Sequence, residues 1–305
     1  MIEAHGLVKR YGATTAVNDL SFSIRPGLVT GFLGPNGAGK TTTMRMILGL
    51  DAPTQGSVTV DGRSYRDLPA PMHEVGALLD AKALHGGRRA FDHLLCLAQS
   101  NGIPRRRVDE VLRTVGLEDV ARRRVKGFSL GMSQRLGIAA ALLGDPAVLI
   151  FDEPVNGLDP DGIHWVRTLM RSLAAEGRTV LVSSHLMSEM ALTAEHLLVI
   201  GRGRLIADAS VDEFVRSSSQ RSVHVRSPQA AELAARCREA GAGVQAGTDP
   251  DVIEITGMDS AEVGKLAAAH GITLFELIPV RASLEEAFME LTRDSVEYQA
   301  AGATR

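Results

Sequence analysis

The sequence predicts an α/β protein with a large domain on a buried, mostly parallel sheet, followed by a small α+β domain. Two observations carry this. Between residues 1 and 210, apolar or β-branched runs alternate with helix-like segments: TGFLG at 30–34, VTVDG at 58–62, AVLIFDE at 147–153, TVLVSS at 179–184 and HLLVIG at 196–201. Strands that are apolar on both faces belong in a sheet covered by helices on both sides. From about residue 211 the order becomes strand, helix, strand, strand, helix, strand and a closing helix, a βαββαβ pattern that suggests a ferredoxin-like domain.

The elements within this outline follow from local signals. Residues 86–143 have no comparable apolar strand and several Arg-rich helical stretches, so they read as a helical insertion within the domain at 1–210. RSSSQRS closes an expected linker at 211–222, the small domain occupies 223–292, and 293–305 is a tail. Asp259 with Glu262, and Ser283 with Glu286, have capping-box spacing and mark two helix starts.

With 305 residues, 45% hydrophobic, the chain has enough apolar material for a real core, which argues against disorder. A net charge of -3 argues against a protein whose main task is coating nucleic acid. Cys96 and Cys237 lie far apart without CxxC spacing, so neither a disulfide framework nor a thiolate metal site is expected, and a reducing compartment fits best. Charges or glycines break every apolar run well short of the roughly 18 residues of a membrane span. The Arg-rich runs 105–107 and 122–124 read as solvated helix faces, with contact to a membrane subunit or lipid headgroups as the alternative.

The chemistry concentrates in three segments. Gly34, Pro35, Asn36, Gly37, Ala38, Gly39, Lys40, Thr41 and Thr42 spell a full GxxxxGK[ST] motif directly after an apolar strand and before a helical run. Glycines let successive N–H groups turn toward phosphates, and the following helix start adds a favourable dipole. Lys40 is placed to neutralise the β- and γ-phosphates, and Thr41 offers a hard oxygen to Mg²⁺. The strand at 147–151 then ends in Asp152 and Glu153. Two adjacent acids at the end of a buried strand are costly unless a cation or proton is shared. Asp152 suits the surroundings of Mg²⁺, and Glu153 suits polarising a water for attack on the γ-phosphate. The third segment, Ser129, Leu130, Gly131 and Met132, opens an Ala-rich helix about 20 residues before Asp152 and could itself hold an anion.

With these residues in place, the chain resembles the nucleotide-binding subunits of ABC transporters. Lys40 to Thr42 match the Walker A motif, Asp152 and Glu153 match Walker B with its catalytic glutamate, and Ser129 to Met132 match the signature motif. Asn156 to Asp159 resemble the D-loop, His185 the H-loop histidine at the γ-phosphate, and Tyr11 the aromatic residue that stacks on adenine. The resemblance implies a P-loop NTPase fold, ATP and Mg²⁺ as ligands, and ATP hydrolysis catalysed with Glu153 and His185. It further implies a homodimer that sandwiches two ATP, each between the Walker A of one subunit and Ser129, Gly131, Met132 and Asp159 of the other. A separate permease in the membrane, the cytoplasmic membrane face as location, and no nucleic-acid partner complete that expectation.

The small domain and its SLEEAFMELT end resemble the extension of ATPases serving ABC-2 type exporters, notably the drug and antibiotic self-resistance branch. Two residues depart from the family pattern. Leu130 stands where the signature motif has glycine, and Asp80 stands where the Q-loop has glutamine. Asp80 has two readings, a ligand of Mg²⁺ or its water and a cap on the following turn. Two rival functions are weaker. A soluble superfamily member acting on DNA or ribosomes usually has a long coiled coil or two cassettes, and a regulatory module without turnover has no use for Glu153 and His185.

Overall fold

The computed structural model describes residues 1–81, 83–217, 222–280 and 283–292. The chain divides into two compact units, the first ending at Val211 and the second beginning at Asp212. In chain order the first contains β1 (Ile2–Tyr11), β2 (Thr14–Ile24), β3 (Val29–Leu33), α1 (Lys40–Ile47), β4 (Gln55–Val60), α2 (Pro71–Glu74) and β5 (Val75–Leu78). It continues with α3 (Ala90–Ser100), α4 (Arg106–Thr114), α5 (Leu130–Leu142), β6 (Val148–Asp152), α6 (Pro160–Ala175), β7 (Thr179–Ser183), α7 (Met187–Thr193), β8 (His196–Gly201) and β9 (Arg204–Ser210).

The central sheet has the strand order β5-β6-β7-β3-β8-β9. It is parallel throughout except for β9, which runs antiparallel along the outer edge of β8. β3 and β7 are buried at every residue, which explains their unbroken apolar character. Phe32 and Phe151 are almost wholly buried, and burial of each contributes about 1.5–3 kcal/mol. This topology also sets the site: β6, β7 and β3 are neighbours, so the three segments that leave their carboxyl ends converge.

The expected VTVDG strand, here the end of β4, belongs to a different sheet. β4 pairs antiparallel with β1, which pairs antiparallel with β2, giving a three-stranded sheet of order β2-β1-β4. An apolar run of that length does not name its partner, and only the tertiary pairing decides it. β1 and β2 were not expected as strands because bulges break their alternation: the register shifts between Ala4 and Leu7 and again before Lys9, and Asp19 has φ 56°. Their apolar sides, including Ile2, Leu7, Leu20 and Ile24, pack with Met44 and Ile47 of α1 in one core.

Among the described residues, 86–143 contain three helices, short 3₁₀ turns and no named strand. The segment expected as a linker, 211–222, is helical over α8 (Val211–Ser217), and Ser222 already begins the next strand. The tail at 293–305 lies outside the described residues. The second unit continues with β10 (Ser222–Arg226), α9 (Ala230–Glu239), β11 (Gly243–Ala246), β12 (Val252–Thr256), α10 (Ser260–Ala269), β13 (Glu276–Val280) and α11 (Leu284–Thr292). Its antiparallel sheet, β11-β12-β10-β13, has the ferredoxin-like strand order. Val223, Val225, Ile253 and Ile255 face Leu233, Cys237, Val263 and Ala267 in its own core. Asp259 and Glu262 form a reciprocal capping box on α10, and Ser283 and Glu286 exchange the same bonds before α11.

Candidate functional site

The loop from Gly34 to Gly39 links β3 to α1 and lines a cleft of about 320 Å³. Asn36, Gly37, Ala38, Gly39, Lys40, Thr41 and Thr42 form one wall, and Asp152 and Glu153 stand opposite. Gly37 and Gly39 have φ of 81° and 103°, the Ala38 N–H between them donates to the Pro35 carbonyl at 3.1 Å, and a Cβ at Gly39 would meet the Ala16 carbonyl oxygen at 2.5 Å. The Lys40 ammonium reaches back over this loop, donating to the carbonyls of Gly34 and Pro35. Burial pushes its pKa below the ordinary lysine value, while Glu153 and Asp152 pull in the opposite direction.

The acidic side of the cleft is held from several directions. Thr41 Oγ1 donates to Asp152 Oδ2 at 2.7 Å, and Ser183 Oγ donates to the other oxygen, Oδ1, at 2.5 Å. Glu153 follows β6 in the left-handed region, φ 51°, a conformation that costs a non-glycine residue about 1–2 kcal/mol. Its N–H donates to Ser183 Oγ at 3.0 Å, and its carbonyl accepts from Gln134 Nε2 at 3.0 Å. Its carboxylate Oε2 lies 2.7 Å from His185 Nδ1 and accepts from the His185 N–H at 3.3 Å. The structure thereby brings Lys40, Thr41, Asp152, Glu153 and His185 together.

Ser183 and Gln134 were missed as functional residues. Ser183 lies beside Asp152 in the β6–β7 register and beside Phe32 in the β3–β7 register. No local motif announces that position, because it depends on strand order; Gln134 stood in the signature segment without a role. Ser183 is fully buried. Ser183→Ala is expected to cost about 1.5–3 kcal/mol of stability, since it strips a bond from a carboxylate and from the part-buried Glu153 N–H. Thermal denaturation beside the wild type checks this.

Other sequence-predicted residues stand apart from this cleft. Ser129 caps α5 by accepting from Met132 N–H at 3.1 Å, and Asp159 caps α6 by accepting from Gly162 N–H at 2.9 Å. These two helix starts pack together: a Cβ on Gly131 would lie 3.2 Å from the Gly157 carbonyl oxygen, and Leu130 covers Gly157 so closely that no Cβ fits there. Leu130 therefore fills the space that a β-carbon at Gly157 would need, while remaining about half exposed. Tyr11 is half exposed, with its hydroxyl donating to Asp51 at 2.9 Å and Lys9 Nζ 4.9 Å from its ring centroid. Asp80 lines a second cleft with Arg45, Tyr65, His93 and Leu97, while its neighbour Leu79 reaches the phosphate-loop cleft.

A family profile described as ABC transporter matches residues 17–156, which contain the glycine loop, the capped start of α5 and the acidic strand end. The ABC transporter ATP-binding protein YhcH of Bacillus subtilis is 36% identical over 301 residues, covering 97% of each chain. The chain is an ABC transporter ATP-binding protein. As such it binds ATP and hydrolyses it in the service of transport. The bacitracin transport ATP-binding protein BcrA of Bacillus licheniformis is 41% identical over 217 residues, 70% of this ABC protein and 71% of the relative. A dimeric post-hydrolysis structure of the ATP-binding cassette MJ0796 bound to ADP and Pi superposes with a TM-score of 0.63 at 25% identity. That match covers 69% of this chain and 98% of the cassette. Residues 221–285 match a domain of unknown function, DUF8746.

Proposed function

We propose that this ATPase drives export of a peptide antibiotic or similarly amphipathic compound through a separate ABC-2 type permease, working as a homodimer on the cytoplasmic face of the membrane. The observation that carries the catalytic part is the fourfold hold on Glu153 by Ser183, Gln134 and both the ring and the N–H of His185, beside the Lys40 ammonium. The transport ATPase BcrA, similar to this chain over 217 residues, supports the substrate class.

The roles follow from the donor set. Lys40 gives up the Gly34 and Pro35 carbonyls for the β- and γ-phosphates, and the loop N–H groups share the remaining phosphate charge. The Thr41 hydroxyl and the Asp152 carboxylate, 2.7 Å apart at the cleft edge, are hard oxygens that fit Mg²⁺. When bound, Mg²⁺ neutralises charge on the phosphates. Glu153 polarises the attacking water and His185 orients its carboxylate. Tyr11 stacks on adenine, and Ser129, Gly131, Met132 and Asp159 serve the site of the partner subunit. Asp80, in the second cleft, acts on coupling to the permease rather than on the phosphates.

The unit that begins at Asp212 is an accessory domain separable from ATP binding, since its core of β10, β12, α9 and α10 is its own. A chain ending at Ser210 is expected to bind ATP with an affinity within about threefold of the full chain, measured by titration with a fluorescent ATP analogue. The export reading is tested in the host cell. Replacing the protein with its Glu153→Gln variant should raise sensitivity to bacitracin or a lantibiotic, and restoring the wild type should reverse it. Unchanged sensitivity to both, with wild-type ATPase activity intact, would remove peptide antibiotics from the substrate class.

A further inference from the structure

We propose that the loops at residues 85–90 and 121–126 form a docking face for the anionic headgroups of a lipid bilayer. The two loops are knitted into one surface by backbone bonds: Val125 N–H donates to Arg88 O and Lys126 N–H to Gly86 O, both at 2.9 Å. Ala90 N–H donates to Arg123 O at 3.1 Å, and Arg89 and Arg124 form an isolated β-bridge. On this surface Arg88, Arg89, Arg122, Arg123, Arg124 and Lys126 are all exposed. None of the six takes part in an ion pair among the described residues. Elsewhere the same residue type is neutralised, as where Arg107 and Arg178 share Asp145.

The local balance is positive. Against these six cations stand Asp92, Glu118 and Asp119 in the adjoining residues, a surplus of three in a chain where acids outnumber lysine and arginine by 36 to 33. Arg105 adds a guanidinium 5.1 Å from the Phe91 ring at the edge of the same loops. The buried imidazole of His93 registers this field: burial, then Arg88 and His85, hold its pKa below the ordinary histidine value.

The geometry favours an extended anionic plane over a discrete ligand. Arg122, Arg123 and Arg124 are consecutive and all exposed, and they end at the bridge to Arg89, so the joined loops carry a row of cations rather than a walled pocket. Each can meet its own headgroup on a bilayer, where every basic residue near the surface adds to attraction that fades within a Debye length. No helix among the described residues is long and apolar enough to cross a membrane. The inference does not depend on the identity of the exported compound.

Sedimentation of the purified full chain with vesicles tests it. The wild type should sediment with vesicles of phosphatidylcholine plus phosphatidylglycerol, remain in solution with phosphatidylcholine alone, and release as salt is raised. Reversing Arg122, Arg123 and Arg124 to Glu should lower the partition coefficient by roughly a hundredfold or more. ATP turnover should be unchanged, which shows that the variant is folded. The milder pair Arg88→Gln and Arg89→Gln should give an intermediate loss, and the pair Arg236→Glu and Arg238→Glu on α9 none. Equal binding to both vesicles, no binding to either, or wild-type binding by the triple variant would overturn the proposal. Binding only to vesicles that carry a permease would also overturn it and assign these cations to a protein partner.

Discussion

Glu153→Gln is expected to keep ATP affinity while losing turnover by roughly 100- to 10,000-fold, the range a positioned general base contributes. The substitution keeps the shape of the side chain and removes the negative charge that draws a proton from water. It also changes the contact with His185 Nδ1, now 2.7 Å from Oε2, from a charge-assisted bond to a neutral one. With hydrolysis blocked, nucleotide that joins two subunits is no longer converted to products that release them. The variant should therefore elute as a dimer with Mg-ATP on size exclusion, whereas the wild type returns to monomer as ATP is spent. A monomeric variant that hydrolyses at the wild-type rate would remove Glu153 from this role.

The second large effect concerns two residues that the monomer keeps apart. Lys40 lies at the phosphate-loop cleft, while Ser129 caps α5 outside it. If each ATP is held by Lys40 of one subunit and Ser129 of the other, Lys40→Ala and Ser129→Arg each disable both sites of a homodimer. A mixed dimer gathers both lesions into one site and leaves the other whole. Mixing equal amounts of the two inactive proteins should then restore about a quarter of the wild-type ATPase rate, because half the dimers are mixed and each has one intact site. An absence of recovery from mixed dimers proven by differential tags would count against composite sites.

The segments proposed to meet phosphate were legible because their chemistry is local. Gly37 and Gly39 need positive φ, and Lys40 and Thr41 must follow them directly, so the requirement is written into consecutive residues. Asp152 and Glu153 were legible because two acids at the end of VLIF contradict its burial. The hold on Glu153 was not, since Ser183 and Gln134 reach it from 30 and 19 residues away through strand order and helix placement. The antiparallel sheet stayed hidden for a related reason: the bulges near Gly6 and Asp19 break the alternation by which β1 and β2 would announce themselves. VTVDG was recognised as a strand but placed in the wrong sheet, because its pairing with β1 spans more than fifty residues.

The left-handed backbone at Glu153 has an evolutionary consequence. Glycine at that position would be relieved of strain of about 1 kcal/mol, yet it would lack the carboxylate proposed to polarise water. Stability and turnover thus pull this codon in opposite directions.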